Sequence, residues 1–240
     1  METKNLDIVY FLKPGETSEE FLYSLRSLKN MPHAKIWLYG NKPEWIQGVN
    51  YIPVRQNGTK WENTSRMLGK VARNRNITED FILFNDDFFV LKPIVELPYY
   101  YCGNLKDRAD ECIIRRFPFE RYSRYGEQLR QVSRYLKSHG NYSNNYELHI
   151  PMIFNRRKLA KALELIPHYG FSARRSLYAN TYEVGGIERP DVKIYTLSDM
   201  PEKDADFVST TDTTFRNGKV GLMLREKFIE PCEYEKDKNV

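Results

Sequence analysis

Asp86 and Asp87 stand side by side between two apolar runs in "FILFNDDFFVLKP", Phe81 to Pro93, with Asn85 just before them. Charged side chains are almost never fully buried without a partner. The pair therefore either ends a buried strand and turns to solvent, or faces a positive charge. At the end of a parallel strand, two carboxylates can coordinate Mg2+ or Mn2+. These hard ions take oxygen ligands, and Mg2+ typically combines one or two carboxylates with substrate phosphate oxygens. A nucleoside diphosphate is the natural complement, because the metal neutralises its charge and stabilises it as a leaving group.

Other residues have types suited to the same chemistry. Arg174 and Arg175, in "FSARRSLYAN", either clamp phosphate oxygens bidentately or lie solvated. Arg66 and Lys70 are one helical turn apart and face either a donor or open solvent. Asn63 precedes the core of the same helix and is a candidate hydrogen-bond partner for a donor base or sugar. Asp212, in the Thr-rich "DFVSTTDTT", is either a second acid or a turn residue.

The elements that must hold these groups read as alternating strands and helices. "LDIVYFL" (Leu6 to Leu12) is an apolar strand ended by Pro14-Gly15. In "TSEEFLYSLRSL", Thr17 or Ser18 suits a cap, Glu19 and Glu20 suit the first turn, and Phe21, Leu22, Leu25 and Leu28 recur at helical spacing. "AKIWLYG" and "GVNYIPV" are two further strands, Trp61 to Asn74 a helix, and "DFILFND" a fourth strand. Apolar strands separated by helices predict a parallel sheet covered on both faces. Ligands in such sheets bind beyond the carboxyl ends of the strands, where Asp86, Asp87 and the "KPGE" turn, Lys13 to Glu16, both fall. Residues 94–150 read as irregular apart from a helix over Gly126 to Ser138. A strand (Leu148 to Phe154), a helix (Arg156 to Leu165), a late strand in "DVKIYTL" and a helix over Lys219 to Phe228 follow.

The chain has 240 residues, 41% hydrophobic and 29% charged, so a folded protein with a substantial core is expected. Aromatics make up 14%, including 17 Tyr, a composition found on surfaces that bind sugars, bases or other proteins and also in ordinary cores. The net charge of +5 is a mild excess. Arg115, Arg116, Arg121, Arg124, Arg130, Arg134 and Lys137 concentrate it in one stretch, which is either a solvated helix face or an electropositive wall. The three cysteines, at 102, 112 and 232, have no metal-type spacing, and their odd count argues against a disulfide framework. There is no leader-like apolar segment, so the cytoplasm is the expected compartment, and the sequons at Asn57, Asn63, Asn76 and Asn141 are expected to have no consequence. His33, His139 and His168 carry no motif and read as surface or packing residues.

"FILFNDDFFVLKPI" resembles the second conserved region of the Stealth family of sugar-phosphate transferases. "FLYSLRSL" (Phe21 to Leu28), "AKIWLYG" and "KPEWI" (Lys42 to Ile46) stand where that region has its helix, strand and turn. "LDIVYFLKPG" is similar to the first region, with Lys13-Pro14-Gly15-Glu16 where an Asp-rich turn is usual. "LHIPMIFNRRKLAKAL" is similar to the third region through His149, Pro151, Arg156 and Arg157. "DFVSTTDTTFRNGKVGLMLREKFIEPCEYEK" is similar to the fourth, with Asp212 at its acidic position.

The resemblance implies an α/β, glycosyltransferase-A-like fold, with a mostly parallel sheet, helices on both faces and a helical or irregular acceptor-side insertion. It also implies a nucleotide-sugar donor and a divalent metal, Mg2+ or Mn2+, on Asp86 and Asp87. His149 becomes a candidate acid/base or nucleophile, its alternative being a structural histidine at a strand end. An Asn before the corresponding helix of the family supports the donor role of Asn63. The expected organisation is one catalytic domain over 1–240. Its parts are a nucleotide-sugar-binding half (1–98), a basic, Tyr-rich insertion (99–147), and an acceptor-side half with the C-terminal tail (148–240). The expected activity is metal-dependent glycosyl transfer to a hydroxyl of a glycan or modified nucleic acid. The alternatives are sugar-1-phosphate transfer for surface polysaccharide and a non-catalytic sugar-nucleotide or nucleic-acid binding module.

Overall fold

The structure, a computed structural model, describes residues 1–15, 19–114, 124–166 and 173–236. The candidate caps Thr17 and Ser18 lie outside these residues, as do Glu16, Arg115, Arg116, Arg121, His168 and the end of the charged tail. Elements run in the order β1 (Asp7–Leu12), α1 (Glu19–Ser27), β2 (Ile36–Gly40), β3 (Asn50–Pro53), α2 (Lys60–Arg73), β4 (Asp80–Asn85), β5 (Phe88–Val90), β6 (Tyr100–Tyr101), α3 (Leu105–Ile114) and α4 (Arg124–Ser138). They continue with β7 (Met152–Asn155), α5 (Arg156–Leu165), α6 (Arg174–Thr181), β8 (Ile187–Glu188), β9 (Phe207–Ser209), α7 (Asp212–Asn217) and α8 (Lys219–Lys227).

The central sheet has the order β3-β2-β1-β4-β7. The first four strands are parallel, whereas β7 runs antiparallel to β4. Side chains alternate across a strand, so β1 serves two cores at once. Ile8, Tyr10 and Leu12 pack with Phe21 and Leu25 of α1 and with Leu28. Val9 packs on the opposite face with Met67, Leu68 and Val71 of α2, Leu159 and Ala162 of α5, and Tyr178 of α6. Burial on both faces explains why these strands read as continuous apolar runs. Each fully buried Phe or Leu contributes roughly 1.5–3 kcal/mol. Thr59 and Glu62 start α2 with a capping box, each side chain bonding the other's backbone N–H.

Two expectations are corrected. The stretch after Pro93 holds the expected helix, α4, and a second one besides: α3 packs on α4 around Leu105, Ala109, Leu129, Val132 and Leu136. Asn104 starts α3 by accepting from the Lys106 N–H at 2.9 Å. Gly126 lets the helices touch, since a Cβ there would lie 3.0 Å from the Ala109 carbonyl oxygen. "DVKIYTL" is not a strand but an extended segment with one bridge, Lys193 to Ser209. It follows Pro190 and lies along β9, a strand of only three residues.

Candidate active site

The carboxyl ends of β1 and β4 deliver Lys13 and Asp86-Asp87 to one edge of the sheet. Because β7 runs the other way, it is the residues entering it, Leu148 to Pro151, that reach this edge. His149 therefore lies before its strand, while Asp86 lies after its own. Gly40 ends β2 with φ +109, in the left-handed region, and a Cβ there would lie 2.3 Å from the Leu12 carbonyl oxygen. That close approach leaves the Leu12 carbonyl to accept from Gln56 at 2.7 Å.

Two cavities open at this edge and share Lys13 and Asp86 as a common wall. The larger, about 420 Å³, takes in Gln56, Lys60, Asn63, Asn85, Glu147, Arg174 and Arg175. The smaller, about 110 Å³, takes in Glu19, Glu20, Asp212 and Arg216. The first carries four cationic side chains, Lys13, Lys60, Arg174 and Arg175. Burial lowers Arg175 and pushes Arg174 down to about 10, with the neighbouring Glu147 offsetting part of the effect. Glu147 is itself raised by burial.

Asp86 shows the opposite deficit. Burial and the adjacent Asp87 push Asp86 up to about 6, against which Lys13 acts only in part. Asp87 pairs through Oδ2 with Lys193 Nζ at 2.6 Å, the two side chains being 16% and 13% exposed. Its Oδ1 is buried and has no hydrogen-bond partner. An orphaned buried carboxylate oxygen is rare in native proteins. Carboxylate oxygens are the donor type a divalent cation takes; of the two residues, Asp86 lines both cavities and Asp87 neither. Among the described residues no third His, Cys, Asp or Glu joins them in a group that could hold a metal. That donor set matches Mg2+ or Mn2+ completed by phosphate oxygens and water.

In the smaller cavity, Asp212 pairs with Lys13 at 3.5 Å. A hydrogen bond from Glu20, with Lys13 nearby, keeps its carboxyl below the usual range despite some burial. Glu20 goes the other way: burial, with Asp212 beside it, pushes it up to about 8, although Thr210 donates to its Oε1 at 2.8 Å. Burial lowers Lys13, but Asp212 and Asp86 reverse this and hold it above its ordinary value.

His149 donates its backbone N–H to Asp191 Oδ1 at 2.8 Å and bonds Asp191 Oδ2 through Nδ1 at 2.7 Å. Arg175 donates to the carbonyls on either side, Leu148 at 3.0 Å and Ile150 at 2.5 Å. Phe88 sets its ring edge against the imidazole, and the Arg175 guanidinium lies over the same ring.

The candidates named from sequence therefore separate. Asp86, Asp212, Asn85, Asn63, Arg174 and Arg175 line the two cavities. The Asn63 amide also spans the Gly58 backbone, donating to its carbonyl and accepting from its N–H. Arg66 lies on another face of α2, bonded to the Arg55 carbonyl and to Asn57, in a different depression. Within the described part of the basic stretch, Arg130 pairs with Asp110 and Arg134 with Glu127. Sequence reasoning missed Glu20, Asp191 and Lys193. Asp191 and Lys193 are two apart in an extended segment and so share a side, a spacing visible in "DVKIY".

No family model matches the sequence, and no curated protein matches it. Among solved structures, the chain is similar to the galactosyltransferase LgtC in complex with donor and acceptor sugar analogs. The TM-score is 0.48 at 11% identity, over 97% of this chain and 98% of that one. It is also similar to the glycosyltransferase GlyE of Streptococcus pneumoniae TIGR4 in its apo form, with TM-score 0.49 at 12% identity, over 95% of this chain and 61% of GlyE. Likeness at this level says nothing of activity or substrate. Among the described residues no helix is long and apolar enough to cross a membrane.

Proposed function

We propose that the chain is a metal-dependent glycosyltransferase acting on a nucleotide-sugar donor. One observation carries this reading. A cavity wall with four cationic side chains meets Asp86, whose carboxyl is pushed up by burial and Asp87, and the neighbouring Asp87 keeps one oxygen without a partner. A metal-bound diphosphate answers both the cationic wall and the raised carboxyl, whereas a free anion or a lone cation answers only one. In this reading Asp86 and Asp87 hold Mg2+ or Mn2+, while Lys13, Arg174 and Arg175 surround the diphosphate. Asn63, Asn85 and Gln56 line the space left for the nucleoside or sugar. The ion supplies charge neutralisation of the departing diphosphate. An acceptor hydroxyl attacks the anomeric carbon, the bond to the diphosphate oxygen breaks, and the hydroxyl proton passes to His149. Asp212 holds Lys13 at the cavity wall by their ion pair.

The ion-paired arginines of α4 favour a glycan over a nucleic acid as acceptor. A second reading, sugar-1-phosphate transfer in the manner of the Stealth family, draws support from the His149 imidazole held by Asp191. It differs only in attack at the sugar-side phosphorus. Incubation with a panel of nucleotide sugars and Mn2+, followed by mass spectrometry, separates the two. A nucleoside diphosphate product is expected, a nucleoside monophosphate selects the second reading, and no turnover of any donor refutes both.

A further inference from the structure

We infer that Asp191 is a positioning residue that fixes which nitrogen of His149 can accept a proton. The assignment rests on the transfer reading above for its catalytic meaning, but its geometry stands alone. Asp191 is held ionised: burial would raise its carboxyl, but His149 and two backbone N–H groups outweigh this and lower it. An ionised carboxylate only accepts. At 2.7 Å from Asp191 Oδ2, His149 Nδ1 must therefore carry the hydrogen. In the neutral ring this leaves Nε2 unprotonated, and among the described residues no group bonds it. The second oxygen, Oδ1, accepts from the backbone N–H of His149 and from that of Val192. Asp191 thus grips ring and main chain together, while Arg175 grips the carbonyls on both sides. Rotation of the imidazole would break its bond to Asp191 Oδ2.

The same segment does a second thing. Lys193, two residues on, bonds Asp87 at 2.6 Å. The segment is anchored to β9 by Ile194 N–H to the Ser209 carbonyl at 2.8 Å, and β9 pairs with β5, which begins next to Asp87. One short stretch therefore sets the relative placement of the proton acceptor and a proposed metal ligand.

The test is Asp191→Asn. An amide oxygen can keep the two main-chain bonds, but its NH2 then faces Nδ1 and forces the opposite tautomer. Long-range 1H–15N correlation spectra of histidine-labelled protein are expected to show Nδ1–H in the wild type and Nε2–H in the variant. Turnover is expected to fall by about 10²–10⁴-fold, with donor affinity by titration calorimetry unchanged. An Nε2–H tautomer in the wild type overturns the assignment, and so does a switched tautomer with undiminished turnover. The wild-type spectrum decides the tautomer even if the variant does not fold. A wild type that turns over no nucleotide sugar overturns the transfer reading instead, and the spectra still decide whether Asp191 sets the ring.

Discussion

Glu20 offers a quantitative test of the electrostatics at the sheet edge. Burial with Asp212 alongside pushes its carboxyl up to about 8, against 4.5 for an ordinary glutamate. Below pH 4.5 the group is protonated in both the folded and the unfolded chain, and its contribution is fully present. Between 4.5 and 8 the unfolded chain ionises while the folded one does not. Each pH unit in that interval removes about 1.4 kcal/mol of stability. The loss is complete above pH 8 and amounts to up to about 5 kcal/mol. Glu20→Gln cannot ionise, yet its carbonyl can still accept from Thr210 and its NH2 can still donate to Asp212. The difference in unfolding free energy between the variant and the wild type should therefore be near zero at pH 4.5. It should grow in favour of the variant by up to about 5 kcal/mol at pH 8.5. Urea melts across this range, with a chelator present to keep cations from Asp86 and Asp87, measure it directly. Parallel stability curves for the two proteins would refute the reasoning.

Two further substitutions probe the carboxylate pair. Asp86→Asn removes a carboxyl pushed up to about 6 from 3.8. At pH 7.5 in chelator it should stabilise the protein by up to about 3 kcal/mol while abolishing transfer; a less stable variant contradicts the charge-deficit argument. Lys193→Met leaves the Asp87 carboxylate without its counter-charge and should cost about 3–5 kcal/mol. Adding Asp87→Asn should recover most of that loss, and simple additivity in the double-mutant cycle would show that the pair is not coupled.

The edge that carries Asp86 was legible because its cause is local. Apolar runs mark buried parallel strands, and the first charged residues after them must lie at the strand ends. Helix α5 was readable over Arg156 to Leu165, its bounds in the structure, whereas its cap, Asn155, was not singled out. What escaped were pairings whose partners are far apart in the chain. Lys13 and Asp212 are separated by 199 positions, and Lys193 and Asp87 by 106. No local pattern announces such meetings. Glu20 looked like an ordinary first-turn acid, and only the fold of α7 beside it makes it a buried one. Helix α3 was missed because "LKDRADECII" mixes its apolar positions with charges, so its inward face shows only once α4 lies on it.

Lys13 and Asp86 line both cavities, so a ligand in one compartment meets the wall of the other. An anion that draws Lys13 toward the larger one weakens its hold on Asp212, and with it the charge offered by the smaller. Thermodynamic linkage makes the effect reciprocal. Occupancy of one side changes affinity on the other by the same factor in either order. In the transfer reading, the shared wall couples the donor compartment to its neighbour.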